Sequence, residues 1–365
     1  MNKEGKKGGS RHKMKWILIV LLVLIFVGIM IVFPPSTGKT KRIMDGLGKE
    51  YPNSLSEKCY IDVDGGRLGM ILMASDTNKP VLLFCGGGPG MSEYFLEYEY
   101  PSGLEKEFVV CYFEYRGCGL SYDASAKPEE MTTERYVKDV LAVTDYLQKR
   151  FGKDKIYLMG HSFGTGIAIL AAKQHPEYYE AYVAMSQISN QPESERMAYE
   201  YMKAQYEAAG NKKRLRKFES YEQYAADPML RDVAMHELGV GTARNMKSLL
   251  SGIILPSLRF REFSPKERIH MWIGKARSSQ FAVEKDSFLN ANLQESVPSL
   301  ELPVFFFAGK YDYTCCYSLQ KEYYEKLEAP EKRFYTFESS AHSPLFEEPE
   351  KAMEILAKDV LHVAE

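Results

Sequence analysis

This 365-residue chain lacks the patterns by which a metal or nucleotide site is usually recognised. It contains no H-E-x-x-H, no cluster of cysteine with histidine and no phosphate-binding loop, so no metal and no cofactor is implied. Its six cysteines, Cys59, Cys85, Cys111, Cys118, Cys315 and Cys316, include no C-x-x-C pair. An even count permits disulfides in an exported protein, but the spacing forms no framework, and adjacent Cys315 and Cys316 bridge only with strain. The thiols are therefore read as mostly free, with Cys85 and Cys111 inside expected strands, where small buried thiols are common. Internal repeats are absent, as is low complexity beyond the amino-terminal tail. Excess charge is scarce too: the net charge is −2, yet the first 15 residues hold six basic residues against Glu4 alone. That tail carries +5, which leaves −7 on the remainder and argues against a nucleic-acid surface.

One long hydrophobic run is present. Ile17 to Phe33 is apolar throughout apart from Gly28. As a helix it reaches about 25 Å, close to the ~30 Å hydrocarbon core of a bilayer. A cleaved signal peptide is the alternative, but its apolar region is usually about 7–15 residues long. Phe33-Pro34-Pro35 offers no A-x-A site, and only Ser36-Thr37-Gly38 has small residues suitably arranged. We read 1–15 as a basic cytoplasmic tail, 16–33 as a single-pass cell-membrane anchor and 34–57 as a stalk. The basic flank then puts the body of the chain outside the cytoplasm; Lys39, Lys41 and Arg42 on the other flank oppose this without reversing it.

Beyond the stalk, apolar runs alternate with helical spacing. Tyr60 to Val63, Arg67 to Ala74, Val81 to Cys85 and Val109 to Tyr115 read as strands; the Val81 and Val109 runs are nearly continuous, as in strands covered on both faces. Thr133 to Phe151 recurs at three- and four-residue steps through Tyr136, Val140, Val143 and Leu147. Lys155 to Met159 and Ala181 to Met185 continue the sheet, which resumes at Pro303 to Ala308 and Arg333 to Phe337. Strands and helices of this length predict right-handed crossovers and a mostly parallel, doubly wound α/β sheet. Between Gln187 and Pro298 the chain is polar and helical in propensity. We assign 58–186 and 299–365 to the core and 187–298 to a helical cap inserted into it.

Ser162 stands in Gly160-His161-Ser162-Phe163-Gly164, directly after one apolar strand and before the helix that starts Ile167-Ala168. The glycines permit a strand-to-helix turn too tight for side chains, which pushes the hydroxyl outward. A serine hydroxyl attacks only when a base takes its proton and an acid orients that base. In this strand order the acid and the histidine follow the serine. Asp312 comes just after the Val304 strand and His342 just after the Arg333 strand, so all three share the carboxyl edge of the sheet. Asp286 and Glu284 are alternative acids. His161 reads as a packing residue, His12 lies in the tail, and His175, His236, His270 and His362 fall on helix-like or cap segments. Cys85-Gly86-Gly87-Gly88-Pro89-Gly90 follows the Val81 strand and leaves amides bare for an oxyanion; Gly88 and Phe163 are the expected donors.

Gly87-Gly88-Pro89-Gly90, Tyr115-Arg116-Gly117-Cys118-Gly119-Leu120-Ser121, the Ser162 turn, Asp312 and Ala341-His342-Ser343-Pro344 together resemble the proline iminopeptidases of the α/β-hydrolase superfamily. The likeness covers roughly 58–186 and 300–360. It implies the α/β-hydrolase fold, a cap after the sixth strand, and release of an amino-terminal residue, often proline, from short peptides. It also implies acidic residues near the cap that hold the substrate's amine. Two positions depart from the family: Gly86 stands where a histidine often precedes G-G-P-G, and Tyr313 follows the acid where some members have glutamate. Glu193, Glu195 and Glu200, at the start of the cap, are the candidates for the ammonium group, since a carboxylate attracts a cation strongly at low dielectric. The alternative for them is a solvated helix face. The expectation is a membrane-anchored serine aminopeptidase acting on a small peptide through an acyl-enzyme. The alternatives are an esterase acting on small acyl esters and a non-catalytic binding protein of the same fold.

Overall fold

The computed structural model describes residues 5–88, 90–127, 131–281 and 290–364. Pro89 and the alternative acids Glu284 and Asp286 lie outside the described residues. The core strands are β1 (Leu55–Val63), β2 (Gly66–Ala74), β3 (Val81–Cys85), β4 (Val109–Phe113), β5 (Ile156–His161), β6 (Tyr179–Met185), β7 (Val304–Gly309) and β8 (Lys332–Phe337). They form one 8-stranded sheet in the order β1-β2-β4-β3-β5-β6-β7-β8. β1 and β2 are an antiparallel hairpin whose turn is Asp64-Gly65, both residues at positive φ (42° and 75°), as a two-residue hairpin of this hand requires. β2 is antiparallel to β4, and every later pairing is parallel. The register aligns Cys85 with Gly160, His161 with Met185, and Met185 with Phe307. The carboxyl ends of β3, β5, β6 and β7 are therefore level, and whatever follows them meets at one edge.

Ahead of the sheet runs helix α1 (Gly5–Val32). Its segment Met14–Val32, 19 residues, is long and apolar enough to cross a membrane, and none of it is buried in the protein; an export signal has the same character. Helices α2 (Glu93–Glu99), α3 (Thr133–Phe151) and α4 (Phe163–Gln174) follow in the core. α3 starts where the Thr132 hydroxyl accepts from the Arg135 amide (3.2 Å) and stops at Gly152, whose left-handed φ of 62° favours glycine. α3 and α4 cover one sheet face, with Leu83 and Cys85 beneath them; Leu82 and Phe84 point to the opposite face under α2. The strands are apolar on both sides because both sides are covered.

The cap leaves the sheet after β6. It comprises α5 (Gln191–Ala208), the short α6 (Lys212–Leu215) and α7 (Tyr221–Ala225), α8 (Pro228–Leu238), α9 (Leu255–Arg259), α10 (Pro265–Phe281) and α11 (Leu293–Ser296). Tyr199, Met202, Tyr206, Phe218, Tyr224 and Leu230 give it a small core of its own. The chain then returns through β7, α12 (Tyr317–Lys326), β8, α13 (Pro344–Glu347) and α14 (Pro349–Ile355).

The Arg116 to Ser121 motif is a structural knot. The Arg116 guanidinium donates twice to the buried Asp139 carboxylate (2.9 and 2.7 Å) and once to the Val63 carbonyl (2.9 Å). Ser121 donates to the Glu114 carbonyl (2.5 Å) and accepts from the Gly69 amide (2.8 Å). A Cβ on Gly119 would lie 1.9 Å from Glu114 Oε2, and one on Gly274 of α10 would lie 2.7 Å from the Cys118 Cα. The knot thus ties β2, β4, α3 and the cap helix α10 together.

The segment read as a stalk is not free-standing. Thr40 donates to the Ser56 carbonyl (2.9 Å), the Lys41 amide donates to Glu262 (3.0 Å), and Ser36 donates to the Arg261 carbonyl. It reads as a linker because two of its partners, Arg261 and Glu262, lie more than 200 residues further on. All six cysteines are free, and five of them are buried.

Removing one member of a buried ion pair leaves the other charge uncompensated. Asp139→Ala should therefore lower unfolding stability by about 3–5 kcal/mol in denaturant titration. The double variant Arg116→Met/Asp139→Leu should recover much of that loss.

Candidate active site

β5 runs into α4 through Ser162, whose φ and ψ are 54° and −122°, a conformation costing roughly 1–3 kcal/mol for a non-glycine residue. Its neighbours impose this turn. A Cβ on Gly164 would sit 1.9 Å from the Cys85 carbonyl oxygen, and one on Gly160 would sit 2.7 Å from the Thr165 Cα. The Ser162 amide donates to the Met185 carbonyl (3.1 Å), while the Ser162 carbonyl accepts from the Thr165 amide (2.9 Å) and hydroxyl (2.6 Å). These bonds hold the turn and leave the hydroxyl to the cavity that Ser162 lines.

Asp312 and His342 meet beside it. A Cβ on Gly309, at the end of β7, would lie 1.7 Å from the Ala341 carbonyl, so the loops after β7 and β8 are in backbone contact. His342 Nδ1 is 2.9 Å from Asp312 Oδ2. The Asp312 carboxylate also accepts from the amides of Thr314 (2.9 Å) and Cys315 (3.0 Å) and from the Gln320 side chain (3.1 Å), and it is buried. A carboxylate so held keeps the proton of the neutral ring on Nδ1 and leaves Nε2 as the acceptor. His342 and Ser162 line one cavity of about 430 Å³, together with Gly87 and Gly88. Gly88 has a φ of 125°, and a Cβ there would lie 2.7 Å from the Gly90 amide nitrogen. Phe163 opens α4 directly after Ser162, its ring packed edge-on to Tyr115 and Tyr136.

His161, read as a packing residue, does more than pack. Its Nδ1 lies 2.8 Å from Glu93 Oε1, and its Nε2 lies 2.8 Å from the carbonyl of His342. The other Glu93 oxygen accepts from the Gly87 amide (2.9 Å). A single buried carboxylate–imidazole pair therefore links the glycine loop, the elbow and the His342 loop. Burial lowers the affinity of this ring for its proton, but the Glu93 charge and the two acceptors outweigh it, so its pKa is raised. An acceptor stands at each nitrogen, an arrangement that favours the ring protonated on both. A local sequence pattern cannot reveal this strut, because its members are 68 and 181 residues apart.

The cap closes over the cavity. The Tyr313 amide donates to Val240 (3.4 Å) and the His342 amide to Gly241 (3.3 Å). Glu347 accepts from the Ala341 and Ser343 amides (2.9 and 3.2 Å) and from the Arg244 amide of the cap; burial pushes its pKa up to about 7. The cap wall is mostly apolar, including Met229, Met235, Leu249, Ile253, Ile254 and Trp272. None of the three expected glutamates lines it. Glu193 pairs with Arg196 at the surface, Glu200 is exposed, and Glu195 is held by two bonds of 2.6 Å from Arg231. The cap acid at the cavity is Asp232, which accepts from Arg231 (2.9 Å), with Lys275 also on the lining. Burial lowers the Lys275 pKa.

The sequence profile of the α/β-hydrolase fold matches residues 80–349. This chain belongs to that family. It is 31% identical over 302 residues to the probable aminopeptidase YbaC of Bacillus subtilis, covering 80% of this chain and 92% of that protein. It is 25% identical over 292 residues to a proline iminopeptidase of Clostridium botulinum, covering 77% and 89%. Among solved structures, the proline iminopeptidase of Mycobacterium smegmatis superposes with a TM-score of 0.60 at 16% identity, covering 84% of this chain and 98% of that one. A proline iminopeptidase-related protein of Thermus thermophilus superposes with a TM-score of 0.56 at 19% identity, covering 85% and 98%. These two likenesses are of fold. The α/β-hydrolase assignment and the resemblance to proline iminopeptidases both hold, and the cap does follow the sixth strand.

A histidine whose folded pKa is raised contributes stability fully below its unfolded value of 6.5, and loses it as pH rises through the folded value. The gap in melting temperature between the wild type and Glu93→Gln should therefore be wider at pH 6 than at pH 9. Ring-nitrogen NMR should also show His161 of the variant titrating below its wild-type value, since burial is then unopposed.

Proposed function

We propose that the protein is a membrane-anchored serine aminopeptidase of the proline iminopeptidase type, which removes amino-terminal residues from short peptides. One observation carries the reading: Ser162 and His342 line a single cavity, and His342 Nδ1 is 2.9 Å from a buried, multiply bonded Asp312. The names borne by its relatives support the peptidase reading.

In this reaction Ser162 Oγ attacks the first carbonyl carbon of the peptide while His342 Nε2 takes the hydroxyl proton. Asp312 fixes the ring tautomer and stabilises the imidazolium that forms. The Gly88 and Phe163 amides stabilise the oxyanion. His342 then returns the proton to the leaving amine, and a water activated by the same ring releases the acyl group from Ser162. The substrate's free amine needs an anion near the cavity, and Asp232 meets that need better than Glu193, Glu195 or Glu200 because it lines the space. Met14–Val32 serves as the anchor, with the tail in the cytoplasm and the hydrolase outside.

An esterase reading has one observation in its favour, the apolar wall of Met229, Leu249, Ile253 and Ile254, which suits an acyl chain. Amino-blocked and free aminoacyl amides separate the two readings. We expect free-amine substrates to be preferred by at least about tenfold, and Asp232→Asn to erase that preference; equal rates on both would defeat the aminopeptidase reading in favour of the esterase. Ser162→Ala should abolish fluorophosphonate labelling, and Asp312→Asn should lower kcat by roughly 10⁴.

A further inference from the structure

The wall of the cavity and the end of the anchor are two sides of the same pair of helices. The apolar stretch Leu250–Arg259 comprises a π turn and α9. Ile253 and Ile254 of this stretch, preceded by Leu249, face the cavity, as does Trp272 of α10. The Trp272 indole donates to Ser257 (3.0 Å) and fastens α10 to α9. On the other side, α1 touches α9. Arg268 of α10 is fully buried there; it donates to the Pro34 carbonyl and lies 4.3 Å from the centre of the Phe33 ring. The point where the anchor joins the body is therefore fixed against the layer that walls the cavity.

The outer surface of that layer has the composition of a bilayer-facing patch. Leu250 is 55% exposed, Ile269 49% and Ile273 39%, the last two a turn apart on one side of α10. Lys247, Arg259, Arg261 and Lys266 are exposed charged residues of the same stretch. Its acids are engaged elsewhere: Glu262 is buried against Tyr94 and the Lys41 amide, and Glu267 pairs with Lys58 (2.8 Å). Exposed apolar side chains interspersed along the chain with lysine and arginine bind an anionic lipid surface by burial and by charge together. Met229 is 63% exposed and also lines the cavity, so the cavity wall reaches the outside through an apolar side chain.

We propose that this face of the cap rests on the bilayer that α1 spans, and that the cavity takes its substrate from that surface. The substrate class is then a short peptide carrying an apolar chain that partitions into the lipid surface, rather than a freely dissolved peptide. The proposal rests on the anchored aminopeptidase reading above, and its test separates the two.

The chain has two tryptophans, so full-length Trp16→Phe protein keeps Trp272 alone. In mixed phosphatidylcholine–phosphatidylglycerol vesicles, a headgroup spin-labelled lipid should quench Trp272 fluorescence. Ile269→Glu/Ile273→Glu in the same background should cut that quenching about threefold. Two aminoacyl peptides, one with a hexadecyl amide tail and one without, then report on supply. In vesicles the tailed peptide should have a KM about tenfold lower than the untailed one in the wild type, and no such advantage in the variant. Turnover of the untailed peptide should be equal in both, since neither isoleucine lines the cavity. Trp272 that stays unquenched, or a tail advantage that survives in the variant, overturns the proposal. A protein inactive on both peptides sinks the aminopeptidase reading, and quenching alone then decides whether the cap meets the bilayer.

Discussion

The close approach of bare backbone at the carboxyl edge of the sheet is the constraint on which the rest depends. Gly164 lies under the carbonyls of Cys85 and Gly86, and Gly309 lies against that of Ala341. A methyl group at either place would need space that backbone already fills. Through the first contact the elbow meets the glycine loop, and through the second the acid's loop meets the histidine's. The strained backbone of Ser162 is therefore held by packing on all sides, and the hydroxyl is aimed without any contribution from its own side-chain bonds. For the reaction proposed above, preorganisation of this kind sets the hydroxyl before a substrate arrives.

The Glu93–His161 pair adds electrostatics to that steric frame. A buried carboxylate–imidazole pair is stable only when its remaining hydrogen-bonding capacity is filled, and here the Gly87 amide and the His342 carbonyl fill it. Three loops from distant parts of the chain therefore share one charge. Glu347 plays a parallel part on the other flank, where its carboxylate gathers amides from the His342 loop and from the cap. The cap is thus tied to the same backbone that carries the histidine.

What could be read from the sequence was local. Ser162, Asp312 and His342 each follow an apolar strand closely, so strand order alone put them at one edge. α3 was legible from Thr133 to Phe151 because its apolar spacing lies within one stretch. The rest needed the third dimension. Nothing near Glu195 announces that Arg231, 36 residues on, will occupy it, and nothing near Asp232 announces that it will line the cavity instead. Arg116 looked like part of a motif, and its reason for being there is Asp139 on the next helix. Residues 34–57 looked like a linker because a charged, proline-rich segment carries no sign of the surface that will receive it.

The free thiols bear on how the protein must be made. Burial raises the pKa of every one of them, to about 12 for Cys118 and for Cys316, so in the finished protein little thiolate is available to an oxidant. The nascent chain has no such shelter, and Cys315 next to Cys316 would be open to wrong pairing. Oxidation therefore distinguishes the unfinished chain from the finished one. Closure of the core around them is therefore what withholds these thiols from an oxidant.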